Sequence, residues 1–275
     1  MNANLTSSVV LITGASGGIG SAIARKFADE GAKLVLHCHR HLDRARNLQR
    51  DLATAESFVV RADLTKEAEV RKLFGRAVRQ FGRVDTLVAN AGSWETRDVP
   101  LHALPLKQWR TTLDGVLTST FLCLREFFRL VLKQKRGNAV LIGSTAAVFG
   151  EAGHADYAAA KAAIAFGLTR SLKNELSRLV PHTRDYCGGR INCVCPGWTV
   201  VPRNAAKLAN AKTVRKVTAT MALPQIARPD DIANAVVFLS SDTLARHITG
   251  QTLVVAGGME GRLLWQPEEM DPSAA

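Results

Sequence analysis

A tyrosine, a lysine and a serine stand in this chain at a spacing that could support proton transfer. Tyr157 and Lys161 are four residues apart, and Ser144 lies thirteen residues before the tyrosine. Positions i and i+4 of a helix share one face, so the phenol and the ammonium group are predicted to lie one turn apart. A nearby cation favours the phenolate, so we expect the pKa of Tyr157 to fall from about 10 towards neutral pH. Such a side chain suits a general acid or base, whereas a Tyr–Lys pair without the serine would fit an ordinary helix equally well.

A glycine-rich segment near the N-terminus could cradle a phosphate group. Residues 13–20 read TGASGGIG, with an apolar run before them and a helical pattern after them. Glycines let the backbone approach a phosphate, and a helix N-terminus offers free N–H groups. A tight strand-to-helix turn also uses glycine, and the spacing is not G-x-G-x-x-G. The strand before the segment and the helix after it favour pyrophosphate binding.

These segments belong to a regular alternation of apolar runs and amphipathic stretches. The alternation predicts an α/β fold, a Rossmann-type doubly wound parallel sheet with helices on both faces, in a single domain over residues 1–262. A basic, alanine-rich segment at about 200–226 is expected to form a helical substrate flap, and 263–275 a C-terminal tail. The predicted strands are 9–13, 33–37, 57–61, 86–89, 138–142, 191–195 and 252–255, and the predicted helices are 19–30, 42–54, 66–81, 106–133, 157–179 and 230–239.

Composition and charge argue against several other classes of protein. The chain has 275 residues, 47% of them hydrophobic, and no apolar stretch long enough for a membrane span. Residues 1–8 lack the pattern of a secretion signal, so we expect a cytoplasmic protein with no membrane partner. The five cysteines predict free thiols, and Cys193-Val194-Cys195 has no further residues at metal-ligand spacing. The net charge of +12 is scattered, which favours solvated helix faces over a nucleic-acid partner.

A set of short motifs runs in order along nearly the whole chain, from Thr13 to about Gly258. They are Thr13-Gly14-x-x-x-Gly18-Ile19-Gly20, Asp63-Leu64, Asn90-Ala91-Gly92, Ser144, Tyr157-x-x-x-Lys161, Pro196-Gly197, Arg228-Pro229-x-Asp231-Ile232 and Thr249-Gly250-Gln251 through Gly257-Gly258. Each motif is weak alone, but their order and spacing make chance a poor explanation. Together they make the chain similar to the short-chain dehydrogenase/reductase family.

The resemblance implies an oxidoreductase that interconverts a carbonyl and a secondary alcohol with a nicotinamide cofactor. Tyr157 would exchange a proton with the substrate oxygen, Ser144 would hydrogen-bond that oxygen, and Lys161 would lower the pKa of Tyr157. Many relatives reduce 3-oxoacyl groups on an acyl carrier protein, so such a thioester and its acidic carrier are candidate substrate and partner. Relatives also form dimers or tetramers, which implies a homo-oligomer built through 117–132 and 158–172.

The end of the second predicted strand bears on the choice between NAD(H) and NADP(H). Enzymes selective for NAD place an acid there, but the usual acid position falls on Cys38 in this chain. Arg40 could bind a 2′-phosphate or could simply begin the next helix, and we predict that NADP(H) is preferred over NAD(H). Asp63 would accept from the adenine amino group or, alternatively, cap the helix that follows. The cofactor-binding residues implied are Gly14, Ser16, Gly18, Ile19, Gly20, His39, Arg40, Asp63, Leu64, Asn90, Ala91, Gly92, Tyr157, Lys161, Pro196, Gly197 and Thr199.

Residues expected to face the substrate are mostly apolar or aromatic, which suits a hydrophobic or acyl substrate. The candidate lining residues are Ser93, Trp94, Val148, Phe149, His154 and Trp198. A basic set could dock an acidic carrier protein or could simply form a solvated face. Its members are Lys133, Lys135, Arg136, Arg170, Lys173 and Arg178.

One departure from the family pattern leaves a second interpretation open. Relatives carry an asparagine that holds a proton-relay water, and Val116 stands at that position here. The relay could run through a hydroxyl such as Thr118 or Ser119. Alternatively, the chain could be a cofactor-binding regulatory or scaffold protein with impaired turnover. The intact serine, tyrosine and lysine favour the enzyme.

Replacing Val116 by asparagine tests this departure. We expect the Val116→Asn variant to match or exceed the wild-type turnover number, because the amide would give a relay water a side-chain partner. The measurement is turnover of NADPH with a carbonyl substrate, with Val116→Ala as the control for removal of the valine. A large loss in the asparagine variant alone would show that the valine has a positive role.

Overall fold

Parallel strands and helices alternate along the chain, in the predicted α/β arrangement. The computed structural model describes residues 3–93 and 95–264. Within them, seven parallel strands form one Rossmann-type sheet in the order β3-β2-β1-β4-β5-β6-β7, which confirms the predicted fold. The strands are β1 Val9–Ile12, β2 Lys33–Cys38, β3 Ser57–Arg61, β4 Thr86–Ala89, β5 Asn138–Ile142, β6 Arg190–Pro196 and β7 Thr252–Val255.

Helices cover both faces of this sheet. Most of them match the predicted ones to within a few residues. The helices are α1 Gly18–Asp29, α2 Leu42–Asp51, α3 Glu67–Phe81, α4 Leu106–Leu113, α5 Ser119–Gln134, α6 Thr145–Phe149, α7 Ala155–Ala162, α8 Thr169–Leu179, α9 Ala205–Leu208, α10 Ala211–Thr218 and α11 Pro229–Ser240.

The apolar runs form strands because both faces of the sheet are buried. In β1, Val9 and Leu11 enter one hydrophobic core, whereas Val10 and Ile12 enter the core on the opposite face. Successive side chains of a strand point to opposite faces, so a strand buried on both faces is apolar throughout. This is why the strands could be read from the sequence without an alternating pattern.

The order of the strands fixes where a ligand can enter. β1 pairs with β2 on one side and with β4 on the other, so successive connections turn to opposite sides of β1. The loops after the carboxyl ends of β1 and β4 diverge and open a crevice, which is where such sheets bind ligands. Except for Tyr157 and Lys161 on α7, the predicted cofactor residues lie at or after the carboxyl ends of β1, β2, β3, β4 and β6.

A buried arginine fastens the end of α11 to β6. Arg190 is 2% exposed. Its guanidinium donates to the carbonyl oxygens of Leu239 (2.9 Å), Ala245 (3.1 Å) and Ser241 (3.1 Å) and to Asp242 Oδ1 (3.1 Å). The last carbonyl groups of a helix lack hydrogen-bond donors within that helix, and the Arg190 side chain provides the donors.

Two features of the helices were not predicted. π-helical turns occupy Asp114–Thr118 between α4 and α5 and Ala163–Leu168 between α7 and α8. A π turn inserts one residue into a helix, which a pattern with a period of 3.6 residues does not reveal, and such turns are frequent at functional sites. The other unpredicted feature is α6, which is too short to show a period.

The segment predicted as a flap is helical in part, since it contains α9 and α10. Of the predicted tail, only residues 263 and 264 lie among the described residues. No helix in the described ranges is both long and apolar enough to cross a bilayer.

Candidate active site

The glycine-rich loop after β1 is fastened to the end of β4. Thr13 Oγ1 accepts hydrogen bonds from the backbone N–H groups of Asn90 and Ala91, each at 2.9 Å. Asn90 Nδ2 in turn donates to the carbonyl oxygens of Thr13 at 2.9 Å and Gly14 at 3.2 Å. Asn90 therefore braces the loop across the crevice, a role that the sequence did not reveal.

The loop has the shape that a diphosphate requires. Gly14 has φ +66°, which side-chain-bearing residues rarely adopt. A Cβ at Gly20 would lie 2.3 Å from the Gly14 carbonyl oxygen, and a Cβ at Gly18 would lie 2.6 Å from a methyl group of Val201. The rim residues Ser16 and Ile19 are partly exposed, and the N-cap residue of α1 is Gly17, which has no side chain to cap the helix. The residues present therefore fit the pyrophosphate of a dinucleotide.

His37 holds the same loop from the side of β2, and the sequence analysis missed it. Its side chain is buried, its Nδ1 accepts from the Gly14 N–H at 3.1 Å, and its Nε2 lies 3.0 Å from the Ala62 carbonyl oxygen. These partners require a neutral ring that donates from Nε2. Burial lowers the pKa of His37 to about 4, against the opposing effect of the hydrogen bond to Ala62. A polar residue inside an apolar strand was the signal that could have revealed it.

Cations gather at the end of β2. His39 and Arg40 are exposed, and Arg61 Nε donates to the His39 carbonyl oxygen at 3.2 Å. Burial raises the pKa of Cys38, while the charges of Arg61 and Arg46 act in the opposite direction. The sequence pointed to Arg40 alone, but the fold brings Arg46 and Arg61 to the same strand end, at the position where an acid would select NAD.

Asp63 shapes the turn that follows β3. Its Oδ1 accepts from the Thr65 N–H at 3.1 Å and from Thr65 Oγ1 at 2.7 Å. The N-cap position of α3 is occupied by Lys66, so the alternative prediction that Asp63 is the helix cap is wrong. Leu64 is buried in the core beside this turn.

Ser144, Tyr157 and Lys161 meet beyond the carboxyl end of β5. Ser144 caps α6, accepting from the Ala146 N–H at 3.1 Å, and its side chain also hydrogen-bonds Tyr157. Tyr157 and Lys161 lie one turn apart on α7, with Lys161 Nζ 5.8 Å from the centre of the Tyr157 ring. The fold thus brings together the three residues predicted to do chemistry.

The prediction that the pKa of Tyr157 falls towards neutral pH is wrong for the protein by itself. Burial raises the pKa of Tyr157 to about 12, although the hydrogen bond with Ser144 and the charge of Arg203 both favour the phenolate. Burial also lowers the pKa of Lys161 to about 8, and this ammonium group does not reverse the shift at Tyr157. The phenol is therefore protonated at neutral pH and can donate a proton.

Lys161 is held in a narrow space beneath the tyrosine. Its Nζ donates to the Ile142 carbonyl oxygen at 2.6 Å. A Cβ at Gly92 would lie 3.6 Å from this Nζ and 3.8 Å from a Val116 methyl group. Gly92 and Val116 therefore both lie beside the lysine, and Val116 forms an apolar side of that space.

The hydroxyl groups that could replace the relay asparagine are engaged within their own helix. The Val116 carbonyl oxygen accepts from Thr120 Oγ1 at 2.7 Å and from Ser119 Oγ at 3.3 Å. Thr118 Oγ1 donates to Asp114 Oδ1 at 3.2 Å on the exposed side of the helix. Thr120 and Ser119 therefore hydrogen-bond the Val116 backbone, and Thr118 hydrogen-bonds the Asp114 carboxylate.

Asp156 is a further residue of the site that the sequence analysis missed. It is 2% exposed, and its Oδ1 accepts from the Tyr157 N–H at 2.8 Å. Its Oδ2 accepts from Thr112 Oγ1 at 2.6 Å and from Gln108 Nε2 at 3.3 Å. Asp156 therefore fastens the start of α7, and with it the tyrosine, to α4.

A small apolar cluster lies apart from the two main cores. It contains two predicted lining residues, Phe149 and Trp198, together with Met221, Ala256 and Met259. The two methionines were missed because they come from distant parts of the sequence and carry no motif. Flexible methionine side chains suit an irregular apolar ligand.

The other predicted lining residues differ in their surroundings. Val148 packs against a main core, and Ser93 is exposed. His154 is buried, with its Nε2 3.1 Å from Asp98 Oδ1. Trp94 lies outside the described residues.

The segment after β6 leads from the predicted cofactor residues into the flap. Pro196 ends β6, and Thr199 Oγ1 donates to the Gly197 carbonyl oxygen at 3.0 Å. Asn204 Nδ2 donates to the Thr199 carbonyl oxygen at 2.8 Å, and Asn204 Oδ1 accepts from the Val201 N–H at 2.9 Å. These bonds fix the base of the flap beside the crevice.

Two members of the predicted basic docking set are engaged within the chain. Arg136 forms an ion pair with Asp242 at 2.9 Å and lies 4.9 Å from the centre of the Tyr186 ring. Arg170 lies 5.1 Å from the centre of the Phe166 ring. For these two arginines, the structure favours the alternative that they serve the chain's own surface.

Cys193 and Cys195 point the same way from β6, with their sulfur atoms 3.9 Å apart. In the part of the chain that the structure describes, no group of three or more His, Cys, Asp or Glu side chains could hold a metal ion.

Known proteins resemble the chain over nearly its whole length. A family model described as Enoyl-(Acyl carrier protein) reductase matches residues 14–260. A 3-oxoacyl-[acyl-carrier-protein] reductase of Synechocystis is 34% identical over 93% of this chain and 98% of its own. One of Staphylococcus epidermidis is 34% identical, covering 90% and 97%. A cis-4-hydroxycyclohexanecarboxylate dehydrogenase of Sinomonas cyclohexanicum is 35% identical, covering 91% and 95%.

His37 should make the protein sensitive to acid. Its pKa is about 4 in the fold and 6.5 when unperturbed, so its contribution to stability is complete above pH 6.5 and is lost as the pH falls towards 4. We expect the free energy of unfolding in urea to decrease by about 2 kcal/mol more between pH 7 and pH 5 in the wild type than in His37→Gln. The exposed His182→Gln variant is the control and should behave as the wild type. An equal decrease in wild type and His37→Gln would contradict the neutral-ring assignment.

Proposed function

The chain belongs to the short-chain dehydrogenase/reductase family, and from that premise we propose that it is an NADP(H)-dependent reductase of a carbonyl group, with Tyr157 as the proton donor. The observation that carries the proposal is the hydrogen-bonded pair of Ser144 and Tyr157, with Lys161 one turn away, beside a loop that fits a diphosphate. A binding protein without turnover would not need this arrangement.

The chain's own residues provide the proton and stabilise the charge that develops. Tyr157 holds its proton at neutral pH, because burial raises its pKa to about 12, and donates it from the phenol oxygen to the substrate oxygen. Ser144 hydrogen-bonds the same substrate oxygen and stabilises the negative charge that develops on it. The Lys161 ammonium places a positive charge beneath the tyrosine, which favours the phenolate as the proton leaves.

The cofactor supplies the second half of the reaction. When bound, a reduced nicotinamide supplies a hydride to the carbonyl carbon. The glycine loop would hold the pyrophosphate, and Lys161 would hold the ribose hydroxyls next to the nicotinamide. The exposed Arg40, with Arg46 and Arg61 at the end of β2, supports a preference for the 2′-phosphate of NADP(H) over NAD(H).

A 3-oxoacyl thioester is the substrate class that the observations favour. The cluster around Phe149 and Trp198 is apolar and includes two methionines, which suits an acyl chain. The relatives from Synechocystis and Staphylococcus epidermidis are named for 3-oxoacyl groups on acyl carrier protein. We therefore propose an acyl carrier protein as the partner that presents the substrate, and a homo-oligomer, a dimer or tetramer, as the working state.

The reaction is tested by reduction of a short 3-oxoacyl thioester with NADPH. We expect Tyr157→Phe to lower the turnover number by at least about 100-fold, because the proton donor is lost, while NADPH still binds. The chain's other tyrosine gives the matched control: Tyr186→Phe should keep its turnover. Equal activity in Tyr157→Phe and the wild type would contradict the proposal, and tight NADPH binding without any turnover would contradict this substrate class.

The cofactor preference is tested by binding rather than turnover. We expect Arg40→Gln to weaken the affinity for NADPH by about tenfold or more and to leave that for NADH unchanged, because a charge-assisted hydrogen bond to the 2′-phosphate is lost. Arg44→Gln, an exposed arginine on α2, is the control. Equal affinity of the wild-type protein for NADH and NADPH would contradict the preference.

A further inference from the structure

Arg262 folds back onto the wall of the active site. It lies beyond residue 260, where the match to the family model ends, yet its side chain is only 18% exposed. Its Nε donates to the Gly150 carbonyl oxygen at 3.1 Å, and its Nη2 donates to Thr145 Oγ1 at 3.2 Å. The same Nη2 forms an ion pair with Glu151 Oε2 at 2.5 Å, and Nη1 lies 3.8 Å from Met259 Sδ. One guanidinium group therefore joins the segment after β7 to Thr145, Gly150 and Glu151, which lie in α6 or directly after it.

These contacts hold both ends of α6. Thr145 is the first residue of this helix, and Gly150 follows its last residue, Phe149. A helix of five residues has too few internal hydrogen bonds to be stable alone, so contacts from elsewhere must hold it. The planar fork of an arginine can bind two acceptors in a fixed geometry, which a lysine cannot do. What α6 carries is functional, since Ser144 caps its start and Phe149 enters the apolar cluster.

The ion pair also affects the catalytic tyrosine. The negative charge of Glu151 is among the groups that raise the pKa of Tyr157. Arg262 compensates this charge, because its guanidinium contacts the carboxylate directly. The other groups that face the phenol are Ser144, Lys161, Cys195 and Arg203.

We propose that Arg262 is a positioning residue of the active site: it holds α6 against the C-terminal segment and neutralises Glu151 beside Tyr157. The inference rests on the proposed role of Tyr157 as the proton donor. Arg262 lies two residues beyond the stretch that matches the family model, so the motifs of that family do not point to it. The two parts of the proposed role, neutralising Glu151 and holding α6 in place, can be measured separately and without a substrate.

The charge is tested by titrating Tyr157 directly. The sequence has two tyrosines, so a Tyr186→Phe background leaves one to observe by NMR of a ring-labelled tyrosine, with circular dichroism to verify the fold at each pH. We expect Arg262→Met to raise the pKa of Tyr157 and so lower its ionised fraction at a fixed alkaline pH by about threefold. Glu151→Gln should shift the pKa in the opposite direction.

The double variant decides whether the effect is electrostatic. With both Glu151→Gln and Arg262→Met, neither charge remains, and the titration should return close to that of the background protein. If the pKa of Tyr157 shifts equally in Arg262→Met and in the double variant, or if it shifts in neither, the neutralising role is wrong. Because no turnover is measured, the result does not depend on the proposed reaction, whose failure would appear only in the thioester assay.

The hold on α6 is tested by hydrogen exchange of its backbone amides. We expect exchange in α6 to become about tenfold faster or more in both Arg262→Met and Arg262→Lys, because neither side chain can bridge the two ends of the helix. Arg262→Lys keeps the charge, so its Tyr157 titration should stay near that of the background. The exposed Arg246→Met is the control. Unchanged exchange in Arg262→Met would contradict the positioning role.

Discussion

The hydrogen bonds between the Thr13–Gly14 loop and Asn90–Ala91 are the interaction on which the rest of the site depends. β1 and β4 border the crevice, and the loops that leave them would diverge if nothing joined them. The reciprocal bonds of Thr13 and Asn90 close that gap, and the His37 imidazole holds Gly14 from the opposite side. The glycine loop is therefore fixed from both neighbouring strands, and Gly92, two residues after Asn90, lies beside Lys161.

The chemistry at Tyr157 is decided by a balance between burial and charge. Burial favours the neutral phenol, while the Ser144 hydrogen bond and the charge of Arg203 favour the phenolate. Burial prevails in the protein by itself, and it also lowers the pKa of Lys161 to about 8, so the lysine remains mostly charged at neutral pH but loses its charge at a lower pH than an exposed lysine does. A site balanced in this way holds the proton on the tyrosine at neutral pH.

What the sequence could reveal was local, and what it missed depends on distant contacts. The strands were predictable because burial on both faces leaves unbroken apolar runs, and four of them have the predicted bounds. The spacing of Tyr157 and Lys161 is equally local. In contrast, His37, Asp156 and Arg262 act through partners 23, 44 and 117 positions away in the sequence. The direction of the Tyr157 pKa was wrong for the same reason, because the extent of burial depends on the whole fold.

The site divides into groups that the sheet fixes and a wall that the C-terminal half supplies. The glycine loop and Ser144 follow the carboxyl ends of strands, which the hydrogen-bonded ladder of the sheet holds in place. The flap and the segment after β7 reach both regions: Val201 and Pro202 pack against Gly18, while Met221 and Met259 pack with Trp198. A group that enters the glycine cradle therefore meets the same segment that shapes the apolar cluster.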